Sequence, residues 1–250
     1  MLRTLAIAAT CAAFTLPLAA CSTAGVANDA TPAAAPGASP VAAGTTFRAT
    51  GNEPSWRLDV SAAEMSLLTD FGQTRVVAPA PSVAVAGATR TFVARSAQGE
   101  MTAKVVDGVC MDTMSGMPHP QSVTVVAGDR TLTGCGGEPA SLLQGTEWTV
   151  VSIDGNPLVA GSKATLTFAP DGSLSGHASC NRFMSEYKLS GEGLAIASAA
   201  GTRMMCEEPL MAQEQAFLAA LSGTQGFSIS ADGALLLRTG DGRTIEARRP

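Results

Sequence analysis

Ala164-Thr165-Leu166-Thr167-Phe168-Ala169-Pro170-Asp171-Gly172-Ser173-Leu174-Ser175-Gly176 decides the fold class. Apolar and polar residues alternate from Ala164 to Phe168, the two-residue period of a half-buried strand. Pro170-Asp171-Gly172 then supplies turn chemistry: proline presets its own φ, and glycine accepts positive φ. Ser173 to Gly176 reads as the returning strand. The pattern continues downstream, with a short strand at Leu194 to Ala197 and strands at Phe227 to Ser230, Leu235 to Arg238 and Thr244 to Ala247. Asp232-Gly233 and Asp241-Gly242 separate the last three. Upstream, Trp148-Thr149-Val150-Val151-Ser152-Ile153 precedes an Asp154-Gly155 turn. One segment departs from this period. From Pro209 to Leu221, apolar Leu210, Phe217, Leu218 and Leu221 share a helical face. Pro209 suits the first turn, Glu207 and Glu208 the positive end, and Gly223 the stop.

The first half of the chain reads as strands alone. Ser55-Trp56-Arg57-Leu58-Asp59-Val60 alternates at period two. Met65 to Thr69, Thr91 to Ala94 and Met101 to Val106 follow, and Ser122 to Val126, Gly128-Asp129 and Arg130 to Thr133 form a hairpin. A break falls at Gly136-Gly137-Glu138-Pro139. The expected fold class is therefore α+β, predominantly antiparallel β, in two small β-rich domains at 47–137 and 142–250. The second is an open barrel or sheet with one packed helix. Both carry an early tryptophan and a later cysteine pair, too thin a likeness to establish a duplication.

The N-terminus carries an export pattern. Arg3 precedes an apolar run from Leu5 to Leu18, too short to span a bilayer, and Leu18-Ala19-Ala20-Cys21 has the small-residue approach of a lipobox. The expectation is a signal peptide at 1–20 and a lipid of the palmitate type on Cys21. Several acyl chains, at about 0.8 kcal/mol per buried methylene, give stable anchoring. The alternative is an ordinary signal peptide cut near Ala20. Ser22, with no aspartate after the cysteine, favours the outer membrane. Residues 21–46 are rich in alanine, proline and threonine and cannot offset their ordering entropy, so they read as a disordered tether. Of six cysteines, Cys11 leaves with the signal and Cys21 takes the lipid. The remaining four, two in each domain, read as disulfides Cys110–Cys135 and Cys180–Cys206. Each would contribute roughly 3–4 kcal/mol by loop entropy. A metal site using His119 and His177 is disfavoured because the cysteines lack close-pair spacing. Net charge is −5, aromatics are 4% and no basic stripe is present, which argues against nucleic acid.

Several residues invite a chemical reading. Asp112, Ser115 and His119 have the residue types of a hydrolytic triad, but three members within one short loop rarely reach its geometry, and no G-x-S-x-G elbow is present. Loop structure beside a disulfide is the better reading. Asn181 suits a turn after Cys180. Arg182 and Arg203 could converge on a carboxylate or phosphate, although local pairing with Glu186, Glu207 or Glu208 is favoured. Glu53 lacks a visible second acid for glycosidase chemistry. Trp56 and Trp148 read as core anchors. Met111, Met114 and Met117 resemble soft copper(I) ligands, yet methionines in a folded loop more often fill gaps in packing.

From about Leu143 to Arg248 the chain resembles the META (HslJ-like) family. The resemblance rests on Phe168, Asp171-Gly172, Leu174-Ser175-Gly176, Cys180-Asn181-Arg182-Phe183, Tyr187, Thr202-Arg203-Met204 and Cys206, continued on the helix by Glu214, Phe217 and Leu221. It implies a compact α+β fold, a bacterial envelope location and a link to heat shock and antibiotic tolerance, with no agreed enzymatic activity. The first half resembles an uncharacterised envelope family often fused to META. Its marks are Gly51-x-Glu53-Pro54-x-Trp56, Cys110-x-Asp112-x-Met114-Ser115 with Pro120, and Gly134-Cys135, with Thr113 in place of an expected glycine.

These readings converge on a non-enzymatic cell-envelope lipoprotein with a binding or structural role under envelope, heat or antibiotic stress. It would be held by Cys21 at the outer membrane, facing the periplasm. The expectation includes no catalytic residues, metal or cofactor. Disulfides form at Cys110, Cys135, Cys180 and Cys206, and ligand contacts fall at Asn181, Arg182 and Arg203. Its partners are the membrane and an envelope protein or small molecule, not nucleic acid. The alternative is an inhibitor or binder of an envelope enzyme such as a lysozyme or protease, acting through the exposed loop from Cys110 to Pro120.

Overall fold

The computed structural model describes residues 45–250. The signal segment, Cys21 and the tether up to residue 44 lie outside the described residues. Thr45 and Thr46, read as tether, already belong to the first strand. Nine strands form the first sheet: β1 (Thr45–Asn52), β2 (Ser55–Ser61), β3 (Glu64–Thr69), β4 (Thr74–Pro79), β5 (Ser82–Ala86), β6 (Thr89–Ser96), β7 (Gly99–Met111), β8 (Pro118–Ala127) and β9 (Arg130–Gly136). Their order is β4-β3-β2-β1-β9-β8-β7-β6-β5, and every pairing is antiparallel. β4 also lies against β6, so the sheet curls on itself. Period-two burial along β2 sends Trp56, Leu58 and Val60 inward, onto Met65, Leu67, Met101, Val125 and Leu132.

The second sheet follows a short helix, α1 (Ala140–Leu143). Its strands are β10 (Trp148–Ile153), β11 (Asn156–Pro157), β12 (Lys163–Phe168), β13 (Ser173–Ser179), β14 (Arg182–Ser190), β15 (Gly193–Ile196), β16 (Ala200–Gly201), β17 (Thr224–Ile229), β18 (Leu235–Thr239) and β19 (Thr244–Arg248). Helix α2 (Glu208–Ser222) interrupts the run before β17. The order is β15-β14-β13-β12-β10-β19-β18-β17, with β11 on β10 and β16 on β14. β15 lies against β17, which nearly closes a barrel. Closure depends on Gly193, where a side chain would overlap the Gln225 carbonyl oxygen. The Asp154-Gly155 turn has φ of 52° and 74°, the left-handed pair that a two-residue hairpin with matching twist requires.

Helix α2 buries Phe217 and Leu221 against the barrel, as its apolar spacing predicts, with Ala220 beside them; Leu218 is partly buried there and Leu210 is not part of that core. In the same buried face stands Glu214, a carboxyl that the apolar pattern does not reveal. Met117, from the turn between β7 and β8, is 7% exposed and packs into the second core with Leu143 and Trp148. The first sheet thereby contributes a side chain to the second.

The β3–β4 connection holds Asp70 and Phe71 at φ of 55° and 57°, left-handed backbone that costs non-glycine residues of order 1–2 kcal/mol each. Arg130, at the start of β9, clasps Asp70 through two hydrogen bonds of 3.1 Å each. These bonds hold the Asp70 carboxyl at about 2, below its ordinary 3.8. A lowered carboxyl stabilises the fold above its unfolded value, and this contribution is lost as pH falls through the folded value. Asp70→Asn should therefore lower the melting temperature at neutral pH. The gap from the parent should close between about pH 4 and about pH 2; an undiminished gap at the acid end of paired melting curves would contradict the clasp.

Candidate functional site

The sequence marks of the second half converge on the β13–β14 turn. Cys180 is bridged to Cys206 and Cys110 to Cys135, as pairing within each half of the chain predicts. The four sulfurs are thus committed to bridges rather than to metal. Ser179 sits at φ 88°, a conformation a serine adopts only when its surroundings enforce it. Glu214 does so from below: one carboxyl oxygen accepts the Cys180 N–H at 3.2 Å and the Asn181 N–H at 2.7 Å. The other accepts the Asn181 side-chain amide at 3.0 Å. That amide also donates to the Met204 carbonyl at 3.1 Å, and Asn181 Oδ1 accepts from Thr202 Oγ1 and Met204 N, each at 2.7 Å.

This geometry corrects the expectation for Asn181. It is 3% exposed, and both amide hydrogens and both oxygen lone pairs are used within the protein, leaving none for a ligand. Arg182 is different. It follows Asn181 at the start of β14 and is exposed, with only its backbone engaged in this network. The expected local pairing with Glu186 does not form. Four residues along a strand separate two side chains by about 13 Å, whereas one helical turn would bring them together. Arg203 likewise pairs with neither Glu207 nor Glu208. Every other arginine among the described residues holds an acid, a hydroxyl or an aromatic ring. Arg182 and Arg203 stand apart in having no such side-chain partner.

Arg182 opens onto a groove of about 580 Å³ on the outer face of β12, β13 and β14, a size that suits a small ligand. Strand register builds it. Thr167 faces Ser175, Ser175 faces Met184, and His177 faces Arg182, so alternate residues of three strands share one surface. Glu147, directly before β10, lines the opposite side. Neither its carboxylate nor the His177 ring has a hydrogen-bond or ionic partner among the described residues. Arg203 does not line the groove. Gly176 allows the strands to pack this closely: a side chain there would overlap the Thr165 carbonyl oxygen and press the Phe183 ring at 3.1 Å.

In the first half, Asp112, Ser115 and His119 do not form a relay. The Ser115 hydroxyl donates to Asp112 at 2.8 Å, and His119 Nδ1 lies 3.0 Å from the Gly137 carbonyl oxygen. Asp112 also accepts the N–H groups of Met114 and Ser115 and the Asn52 amide. These bonds lower its pKa although burial opposes them. Met114 is 78% exposed while Met117 is buried in the second core, so the methionines do not gather as a copper set. Glu53 is exposed at the β1–β2 turn. Trp56 and Trp148 are buried, as expected of core anchors. No helix among the described residues is long and apolar enough to cross a membrane.

Comparison with known proteins falls on the same half as the groove. A family model described as META domain matches residues 141–250. No curated protein matches the chain. Among solved structures, an NMR structure of a protein from Burkholderia xenovorans is 28% identical over 44% of this chain and 86% of that one, with a TM-score of 0.39. A second NMR structure is also 28% identical, over 43% of this chain and 92% of that one, with a TM-score of 0.36. The half of the chain that carries Arg182, Asn181 and the Cys180–Cys206 bridge is a META domain.

Proposed function

We propose that this protein is a non-enzymatic lipoprotein of the bacterial cell envelope, anchored by a lipid on Cys21 at the outer membrane and facing the periplasm. In this reading the META domain binds an envelope component through the β12–β14 groove and supports tolerance of envelope stress. One observation carries the binding role: Glu147, His177 and Arg182 have no side-chain partner among the described residues and stand around a single groove, while almost all other described arginines are engaged. The Arg3-to-Cys21 pattern and two disulfides, which persist in oxidising compartments, support the location.

The test uses native protein extracted from membranes. Mass spectrometry of its N-terminal peptide should show an acylated Cys21. Immobilised protein should capture an envelope component that the Arg182→Gln form releases. An unmodified Cys21, or capture indifferent to Arg182, counts against the anchor or the groove respectively. Turnover of an envelope substrate lost on a single substitution in a folded chain would remove the non-enzymatic reading.

A second reading has its own observation. Asp112 and the Cys110–Cys135 bridge brace the loop that presents Met114, a preorganised projection able to enter an enzyme cleft. An inhibitor of an envelope lysozyme or protease would lose its target on Met114→Ser.

A further inference from the structure

We infer that the β12–β14 groove takes a short peptide with both termini free, its amino end at Glu147 and its carboxylate at Arg182. The inference rests on the binding role proposed for the groove and names its ligand class. The two unpaired charges are opposite in sign and lie at opposite sides of one surface. β10, β12, β13 and β14 are successive neighbours, and Arg182 lies two residues along β14 from Met184, the end of the row that runs from Glu147 through Thr167 and Ser175, so three strand spacings and two residues, about 16 Å between backbones, separate Glu147 from Arg182. Four extended residues span about 13 Å, which leaves about 3 Å for the Glu147 and Arg182 side chains to cover. A single amino acid is too short to reach both charges, and a simple anion would leave Glu147 unused. Between the ends lie the Thr167 and Ser175 hydroxyls and the His177 ring, none of which hydrogen-bonds to another described residue. They suit the N–H and C=O groups of a peptide backbone. Met184, exposed on the same face, offers a soft, adaptable wall to small side chains. Arginine supplies the planar fork that a terminal carboxylate fills.

The experiment titrates detergent-solubilised full-length protein with tetra-alanine by calorimetry. Its N-acetylated form, its C-amidated form and a version ending in D-alanine complete the series. Free tetra-alanine or its D-terminated form should bind, and blocking either end should weaken binding about tenfold. Arg182→Gln should erase the penalty of amidation while keeping that of acetylation, and Glu147→Gln should do the reverse. Preference for the D-terminated peptide points to cell-wall stems, and preference for the L-form to products of proteolysis; either supports the inference. Equal binding of blocked and free peptides, or none at millimolar concentration, overturns it. If Arg182-dependent capture of an envelope component persists in that event, the binding role survives and only the ligand class fails.

Discussion

Gly134→Ala is expected to destabilise the first sheet by about 4 kcal/mol, near the upper end for overpacking combined with lost ladder bonds. A Cβ at this position would overlap the Thr50 carbonyl oxygen and stand 2.8 Å from Trp56 Cζ2. The first neighbour is backbone, so no change of rotamer relieves it. The displacement falls where the sheet is most easily divided. β1 and β9 pair only at Ala49–Gly136 and Thr50–Cys135, and this short ladder joins β2, β3 and β4 to β8, β7, β6 and β5. The Trp56 indole, which donates to the Thr133 carbonyl at 3.1 Å, would be forced away as well. Gly51 meets the same ring from the other strand. The spaced glycines and tryptophan that mark this half are therefore one packing unit. Gly128→Asn is the control. Gly128 has φ of 61° and open space around it, and asparagine tolerates that conformation. Urea titration followed by Trp56 fluorescence in a Trp148→Phe background should show a large loss for the first substitution and a small one for the second. A Gly134→Ala loss below about 1 kcal/mol would show that β1 and β9 can part without cost.

Features governed by local chemistry were legible in the sequence. Asp154-Gly155 specified its left-handed turn, the β8–β9 hairpin followed its Gly128-Asp129 signal, and α2 began and ended within a residue of its proline and glycine punctuation. Strands whose inward positions are small or polar were not. β14 turns Phe183 and Tyr187 inward, but Ser185 stands between them and donates to the Ala197 carbonyl at 2.7 Å, which breaks the apolar alternation. β4 buries only Ala78, and β5 exposes every residue, so neither carries a pattern to read.

The site divides along the same line. Arg182 could be nominated by type and Asn181 by its place after a cysteine. The sequence does not show that Glu214, 33 residues on, would occupy the amide of one and leave the other free. Glu147 escaped notice because a single glutamate before a strand has no spacing signature. It joins the groove only through the register of β10 with β12. His177 was weighed as a metal ligand, whereas the hairpin places it beside Arg182.

Asn181→Ala should cost about 4 kcal/mol, because it removes four side-chain hydrogen bonds at about 1 kcal/mol each, one of them to a buried carboxyl. The Met204 N–H and carbonyl lose their side-chain partners, and one oxygen of Glu214, itself 8% exposed, loses its donor. The Glu214 oxygen is too buried to recover full hydration in place of that bond. Glu214→Gln should cost about 2 kcal/mol for a different reason. The two backbone N–H groups of Cys180 and Asn181 require the amide oxygen on their side, which turns its NH₂ toward the Asn181 NH₂, donor against donor. In the double variant that confrontation disappears, so the combined loss should fall short of the sum by at least about 1 kcal/mol. Denaturant midpoints for the four forms measure this difference. Strict additivity, or an Asn181→Ala loss under about 1 kcal/mol, would mean that the Cys180–Cys206 bridge alone holds the turn. If the coupling is found, the task of this turn is mechanical: Glu214 and Asn181 fix the backbone from which Arg182 projects, and groove binding should weaken in Asn181→Ala even though the Asn181 side chain is spent within the protein.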